Sequence, residues 1–160
     1  MSGKSTRRVE NAAAEAGLEI TVLAMPESTR TAEDAARACG CETAQIVKSL
    51  IFERSDDGSL VLLLIPGDVQ ADLNAAAADI GGALTRADPK KVRAETGFAI
   101  GGVAPLGHLH PLPVFMHTAL LAWPSVWAAA GSPRHVFSVD PKTLKDAVGA
   151  HLLTAPPGTS

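Results

Sequence analysis

The chain is short of aromatic residues, which make up 4% of its 160 positions. Its core must therefore come mainly from Ala, Val, Leu and Ile. No apolar run approaches the roughly 20 residues that cross a bilayer as a helix, so no membrane partner is expected. Cys39 and Cys41 are the only cysteines. A C-x-C pair is too tight for an ordinary structural disulfide, and no second pair exists to complete a zinc site. The two read as small residues at a helix end. The histidines (His108, His110, His117, His135, His151) show no ligand spacing on a helix face. His108 and His110, two apart in a loop, are a weak signal, so neither a metal nor a cofactor is expected. The N-terminal stretch is charged and lacks the apolar segment of a secretory signal, which predicts a cytoplasmic location. An excess of positive charge is also missing, since the formal net charge is −3. That argues against a broad nucleic-acid-coating surface and makes duplex DNA an unexpected partner. It still permits a few lysines to meet one phosphate or a nucleotide end.

The length fits one domain with one core, predicted over residues 1–153 with a flexible tail at 154–160. Residues 5–16 carry Val9, Ala12, Ala13 and Ala16 at helical spacing, with Gly17 as the stop. Residues 18–24 alternate as a strand. Thr31 opens a second helix with a capping-box outline, a small-residue face and Gly40 at its end. A short helical turn then leads into a strand from Ile46 or Val47 to Glu53. Ser55-Asp56-Asp57-Gly58 is a hairpin turn, and Leu60–Ile65 is a strand apolar on both faces. Helices are predicted over 68–80, after Asp88-Pro89 and after Asp140-Pro141, with a short strand near Ala83–Arg86. Residues 114–122 read as a strand broken near His117, and Val126–Ala130 with His135–Val139 as a hairpin about Gly131–Arg134.

Two features stand apart. The stretch FAIGGVAPLGHLHPLP, Phe98–Pro113, cannot be regular strand or helix interior, because Pro lacks an N–H and Gly tolerates unusual backbone angles. Its small side chains leave N–H and C=O groups open to a carbonyl, anion or ammonium group. Otherwise it is an irregular loop that crosses another backbone closely. The second feature is Lys48, which shares a strand face with Leu50 and Phe52. An unpaired ammonium is costly to bury. Either Lys48 sits at a strand end and reaches water, or it points into a pocket where an anionic group meets it.

Hairpins with inserted helices, rather than strict βαβα alternation, predict an α+β domain. Its sheet is mixed and largely antiparallel, curled towards a barrel and surrounded by helices. The segments QIVKSLIF (Gln45–Phe52), ADPKKVRAETGFAIGGVAPLG (Ala87–Gly107) and LPVFMH (Leu112–His117) together resemble the YbaK family. This is the domain inserted in bacterial prolyl-tRNA synthetases for editing. The resemblance spans roughly residues 28–150, and the order and spacing of the three pieces make it specific. The chain lacks a synthetase catalytic domain and so resembles the free-standing trans-editing members.

The resemblance implies an aminoacyl-tRNA deacylase. Its substrate would be the 3′ end of a mischarged tRNA, commonly tRNA for proline carrying a small non-cognate residue such as Ala, Cys or Ser. It implies catalytic roles for Lys48 and Gly101, with Ser49, Gly102, Val103, Ala104 and Pro105 binding substrate. Ser132 and His135 are polar candidates for lining the pocket. The family pattern uses neither a metal nor a covalent nucleophile, and the terminal ribose 2′-OH helps activate water. With so few positive charges, prolyl-tRNA synthetase or an elongation factor is the kind of delivering partner to expect. The contrasting reading is a non-catalytic module of the same fold that binds a tRNA end, a nucleotide or a protein.

Overall fold

In the computed structural model the described residues are 4–25, 31–99 and 102–153. Helix α1 (Lys4–Glu15) leads to a short strand β1 (Leu23–Ala24). Helix α2 (Ala32–Cys39) starts where Thr31 Oγ1 accepts from Asp34 N–H at 3.0 Å, and Gly40 closes it in the left-handed conformation. A single 3-10 turn (Thr43–Gln45) delivers the chain to β2 (Ile46–Arg54). The Asp-Gly turn then returns it as β3 (Leu60–Pro66).

The apolar character of β3 on both faces has a direct cause. Leu60, Leu62 and Leu64 enter the main core cluster, while Val61, Leu63 and Ile65 enter a second one. Period-two alternation therefore needs an apolar residue at every position. β2 obeys the same alternation, with Val47 and Ile51 on the main-core face and Leu50 and Phe52 on the other.

Helix α3 (Leu73–Ile80) begins later than predicted. Asp72 caps it by accepting from Ala75 N–H, so residues 68–71 remain outside the helix. Strand β4 (Leu84–Arg86) and helix α4 (Pro89–Thr96) come next. After the Gly/Pro stretch come β5 (Val114–His117), a 3-10 turn (Thr118–Ala122), β6 (Val126–Ser132) and β7 (His135–Val139). The break expected near His117 is real, but residues 118–122 form a 3-10 turn and not a strand. The His117 ring caps that turn by accepting from Ala119 N–H at 3.1 Å, which ends the ladder there. Helix α5 (Pro141–Val148) and a strand not foreseen from sequence, β8 (His151–Leu153), complete the order. The predicted strand over 18–24 shrinks to β1 alone. The predicted tail at 154–160 lies outside the described residues.

The sheet is mixed. Its hydrogen-bonded order is β1-β7-β6-β2-β3-β5-β8, with β4 also pairing β2. The β2–β3, β2–β4, β6–β7 and β1–β7 pairs are antiparallel, and β2–β6, β3–β5 and β5–β8 are parallel. The main core lies on one face of this sheet, where α1, α4 and α5 contribute Val9, Val92 and Leu144. Ala76 and Ile80 of α3 cover the opposite face.

Candidate functional site

β2 is the strand around which the site is arranged. On one edge it pairs with β3 from Val47 to Glu53. On the other edge two short neighbours share it. Ile46 and Val47 pair with Trp127 and Ala128 of β6, and Phe52 to Arg54 pair with β4. Residues 48–51 fall between these two pairings. A cavity of about 750 Å3 opens along this gap, lined by β2 and by Ala128, Ala129, Arg86 and Val103. Trp127 and, from the start of α2, Thr31, Ala32 and Ala35 wall it further. A volume of this size is typical of small-ligand sites.

Lys48 lines the cavity and is half-buried. Its Nζ donates to Val69 O at 2.5 Å. Burial pushes its pKa below the ordinary lysine value, and the carboxylates of Glu33 and Asp68 partly oppose that. The sequence left open whether this side chain reaches water or enters a pocket. The structure puts it at the cavity, with one carbonyl as its partner among the described residues. Ser49 is adjacent but projects from the other face of β2. Its Oγ is buried and makes no hydrogen bond among the described residues. A hydroxyl left in that state costs stability, and it lies on a residue that lines the cavity.

The Gly/Pro stretch passes close to the β6–β7 turn. A Cβ on Gly102 would come within 2.9 Å of Ser132 Cα and 3.1 Å of Ser132 N and C. Only glycine lets the two backbones approach this closely. Ser132 Oγ lies 2.6 Å from His135 Nδ1 and accepts from Arg134 N–H at 3.1 Å. Gly102, Ser132 and His135 thus form one contiguous group. Val103 joins it to the cavity, as do Ala129 and Val136, which lie on the same two strands. Ala104 and Pro105 are buried but do not line the cavity. Ala104 O instead accepts from His108 Nε2 at 2.7 Å. Gly101, the second residue given a catalytic role, lies outside the described residues.

Helix α1 holds this loop from behind. Arg8 Nε donates to Gly107 O at 3.1 Å and its Nη2 to Thr96 O at 3.3 Å. The guanidinium stacks 4.6 Å above the Phe98 ring. Gly107 packs on the main chain of Arg8 and Val9, and Gly131 on that of Ser5. One helix therefore anchors both the Gly/Pro stretch and the β6–β7 turn.

A family model for the aminoacyl-tRNA editing domain matches residues 26–147. The chain belongs to this family. Helix α1 lies outside the matched segment of the editing domain. The uncharacterised protein YwhH of Bacillus subtilis (strain 168) is 30% identical over 128 residues, which are 80% of this chain and 81% of that one. The proline–tRNA ligase of Thermosipho melanesiensis is 35% identical over 81 residues, half of this chain but only 14% of the ligase. Among solved structures, a candidate trans-editing enzyme for prolyl tRNA synthetase superposes with a TM-score of 0.89 at 44% identity. That match covers 95% of this chain and 96% of the other. The editing-domain architecture, expected from three sequence segments, is thereby shown.

Sequence reasoning missed part of the cavity wall. The small face of α2 was read only as a packing surface. It does pack, since Ala35 and Ala36 cluster with Ile46, but its N-terminal residues also line the cavity. Trp127 and Arg86 carried no local signal, because they reach the cavity only through the β2–β6 and β2–β4 pairings. Cys39 and Cys41 sit at the α2 C-terminus as expected, and burial pushes the Cys39 thiol up to about 11.

Proposed function

We propose that this editing-domain protein is a deacylase of mischarged tRNA. Its substrate is tRNA for proline esterified with a small non-cognate amino acid such as Ala, Cys or Ser. The observation that carries the reading is the cavity on β2, which Lys48, Ser49 and Val103 of the glycine-rich loop line together.

The reaction needs three provisions: a place for the 3′-terminal adenosine, polarisation of the ester carbonyl and a route for protons. Lys48 supplies a compact cation for a phosphate or ribose oxygen, exchanging its present bond to Val69 O for one to substrate. The Gly102 N–H is held by Ala99 O at 3.0 Å, so the N–H that this main chain, packed against Ser132, offers to the ester carbonyl is that of Val103. Water attacks the carbonyl carbon, and the electron pair moves onto the carbonyl oxygen. Collapse of this adduct breaks the bond to the ribose 3′ oxygen. The proton lost by the water passes to that oxygen through the neighbouring 2′-OH. The products are a free amino acid and an uncharged tRNA. His135, hydrogen-bonded to Ser132 beside the loop, orders the turn on which Gly102 rests.

The test is a panel of tRNAs for proline charged with Ala, Cys, Ser, Thr and Pro. Hydrolysis of one or two of the non-cognate esters, with prolyl-tRNA spared, is the expected result. Hydrolysis of none, accompanied by binding of uncharged tRNA, would replace this reading with that of a binding module. Titration of salt in a binding assay separates tRNA from duplex DNA.

A further inference from the structure

The gap in β2 pairing leaves a definite set of main-chain groups. Arg54 N–H donates across the hairpin to Ser59 O at 2.8 Å, whereas Ser55 N–H donates to Ala83 O on the β4 side at 2.9 Å. Ile46 O accepts from Gly67 N–H on the β3 side. Strand main-chain groups alternate in direction, so those of residues 47, 49, 51 and 53 point to the β6/β4 edge. Val47 is used by the β6 register and Glu53 by the β4 register. The bond flanking the Phe52–Arg86 pair uses the Ile51 carbonyl. Ser49 C=O, Ser49 N–H and Ile51 N–H remain facing the cavity, with no described strand in register beside them.

In a parallel ladder, one residue of the neighbouring strand donates its N–H to the carbonyl of residue i−1. Its own carbonyl accepts from the N–H of residue i+1. β6 runs parallel to β2 with Val47 opposite Ala128. Continued three residues further, it would set Gly131 opposite Leu50. It does not continue. The β6–β7 register shifts between Ala129 and Ser132, and Gly131 adopts φ 95° with its main chain against Ser5. The ladder position opposite Leu50 is vacated by β6 and never reached by β4.

We infer that the aminoacyl residue of the substrate fills this position as a one-residue parallel strand. Its α-amino group donates to Ser49 C=O, and its ester carbonyl accepts from Ile51 N–H. This rests on the deacylase reading and specifies how that site grips its substrate. An aminoacyl ester carries one nitrogen donor and one carbonyl acceptor flanking a single carbon, the set that the gap lacks. The α-ammonium makes its bond charge-assisted, and Ile51 N–H is a further donor to the carbonyl that becomes the oxyanion. The ester oxygen and ribose then lie towards Arg86 and Ala87. Residues opposed across a sheet share a face. The acyl side chain is thus directed to the Leu50 and Trp127 face, where Ala32 and Ala35 bound the cavity.

The experiment uses the 15N-labelled protein and a hydrolysis-resistant probe, 3′-(L-alanylamino)-3′-deoxyadenosine, beside its Nα-acetyl derivative. The expected results are slowing of Ile51 amide hydrogen exchange by about 10-fold or more on binding, and affinity about 10–100-fold weaker for the acetylated probe. The acetyl group would run into the end of the β6 ladder. Binding of both probes alike, or binding with Ile51 exchange unchanged, would overturn the inference. Hydrolysis of alanyl-tRNA for proline is measured in parallel. Hydrolysis with an unmoved Ile51 amide removes this inference alone, whereas loss of both hydrolysis and probe binding removes it together with the deacylase reading. Replacing the amide at Ile51 by an ester, which deletes only that N–H on the cavity edge, should lower kcat/KM for alanyl-tRNA about 10-fold. An unchanged kcat/KM would contradict the assignment.

Discussion

Gly102→Ala places one methyl group where the glycine-rich loop meets the β6–β7 turn. The new Cβ would stand 2.9 Å from Ser132 Cα and 3.1 Å from Ser132 N and C. All three are main-chain atoms, so no side-chain rotation relieves the overlap. Ordinary contacts begin about half an ångström further out, and the loop or the turn must move by that amount. Overpacking of this kind costs about 1–3 kcal/mol. For a chain of this size that is roughly 3–10 °C in Tm. Because the displaced segment carries Val103 and adjoins the Ser132–His135 pair, deacylation should fall further than stability, by about 10-fold in kcat, since a misplacement of about 1 Å costs about 100-fold and this shift is half of that. Thermal unfolding and single-turnover deacylation measure the two effects separately. Gly81→Ala serves as the control, since its Cβ meets nothing within 4 Å and only its φ of 86° is strained. It should cost about 1 kcal/mol and leave kcat unchanged. Wild-type Tm and wild-type kcat in Gly102→Ala would refute the close approach and the role given to it.

Neighbouring groups carry further consequences. Arg8→Ala removes the fork that binds Gly107 O and Thr96 O and the stacking on Phe98. It should destabilise by about 1–3 kcal/mol in a urea titration, and Arg8→Lys should recover only part. His108 and His117 both have pKa values below the ordinary histidine value, in each case chiefly through burial. Their unfolded forms take up protons first as pH falls through about 6.5, so stability is complete above that pH and declines below it. A Tm that stays level from about pH 7.5 to 5 would contradict this. His108→Gln should flatten the decline, because His108 Nδ1 is buried with no partner among the described residues and cannot be protonated cheaply. Both Cys39 and Cys41 have raised thiol pKa values. They should react with iodoacetamide at about pH 7.5 more slowly than a free cysteine, as measured by mass spectrometry.

What the sequence made legible was local. Thr31, Asp88 and Asp140 cap the helices they were expected to cap, and Gly40, Gly97 and Gly149 end them in the left-handed conformation. These signals depend on a few adjacent residues and survive without tertiary context. The Asp57-Gly58 turn and the apolar run of β3 marked out the central hairpin. β8 escaped notice because three residues after Gly149 carry no periodicity, and they become strand only by pairing with β5. Residues 118–122 are apolar enough for a strand, yet the His117 cap turns them into 3-10 structure. The site divides in the same way. Lys48 stood out because a cation sat on an apolar face, and the glycine-rich loop stood out by composition. The cavity itself arises from where β6 and β4 stop along β2. That is a property of long-range register, and no single segment encodes it.

The most direct measurement compares wild type with Lys48→Ala in deacylation of alanyl-, cysteinyl- and seryl-tRNA for proline, with prolyl-tRNA as control and Tm recorded for both proteins. Lys48 is half-buried with one carbonyl partner among the described residues, so its loss should lower Tm by only a few degrees. Wild type should hydrolyse a non-cognate ester, the variant should be slower by about 100-fold or more, and the prolyl ester should stay intact. Full hydrolysis by a folded Lys48→Ala protein would contradict the assignment of the site.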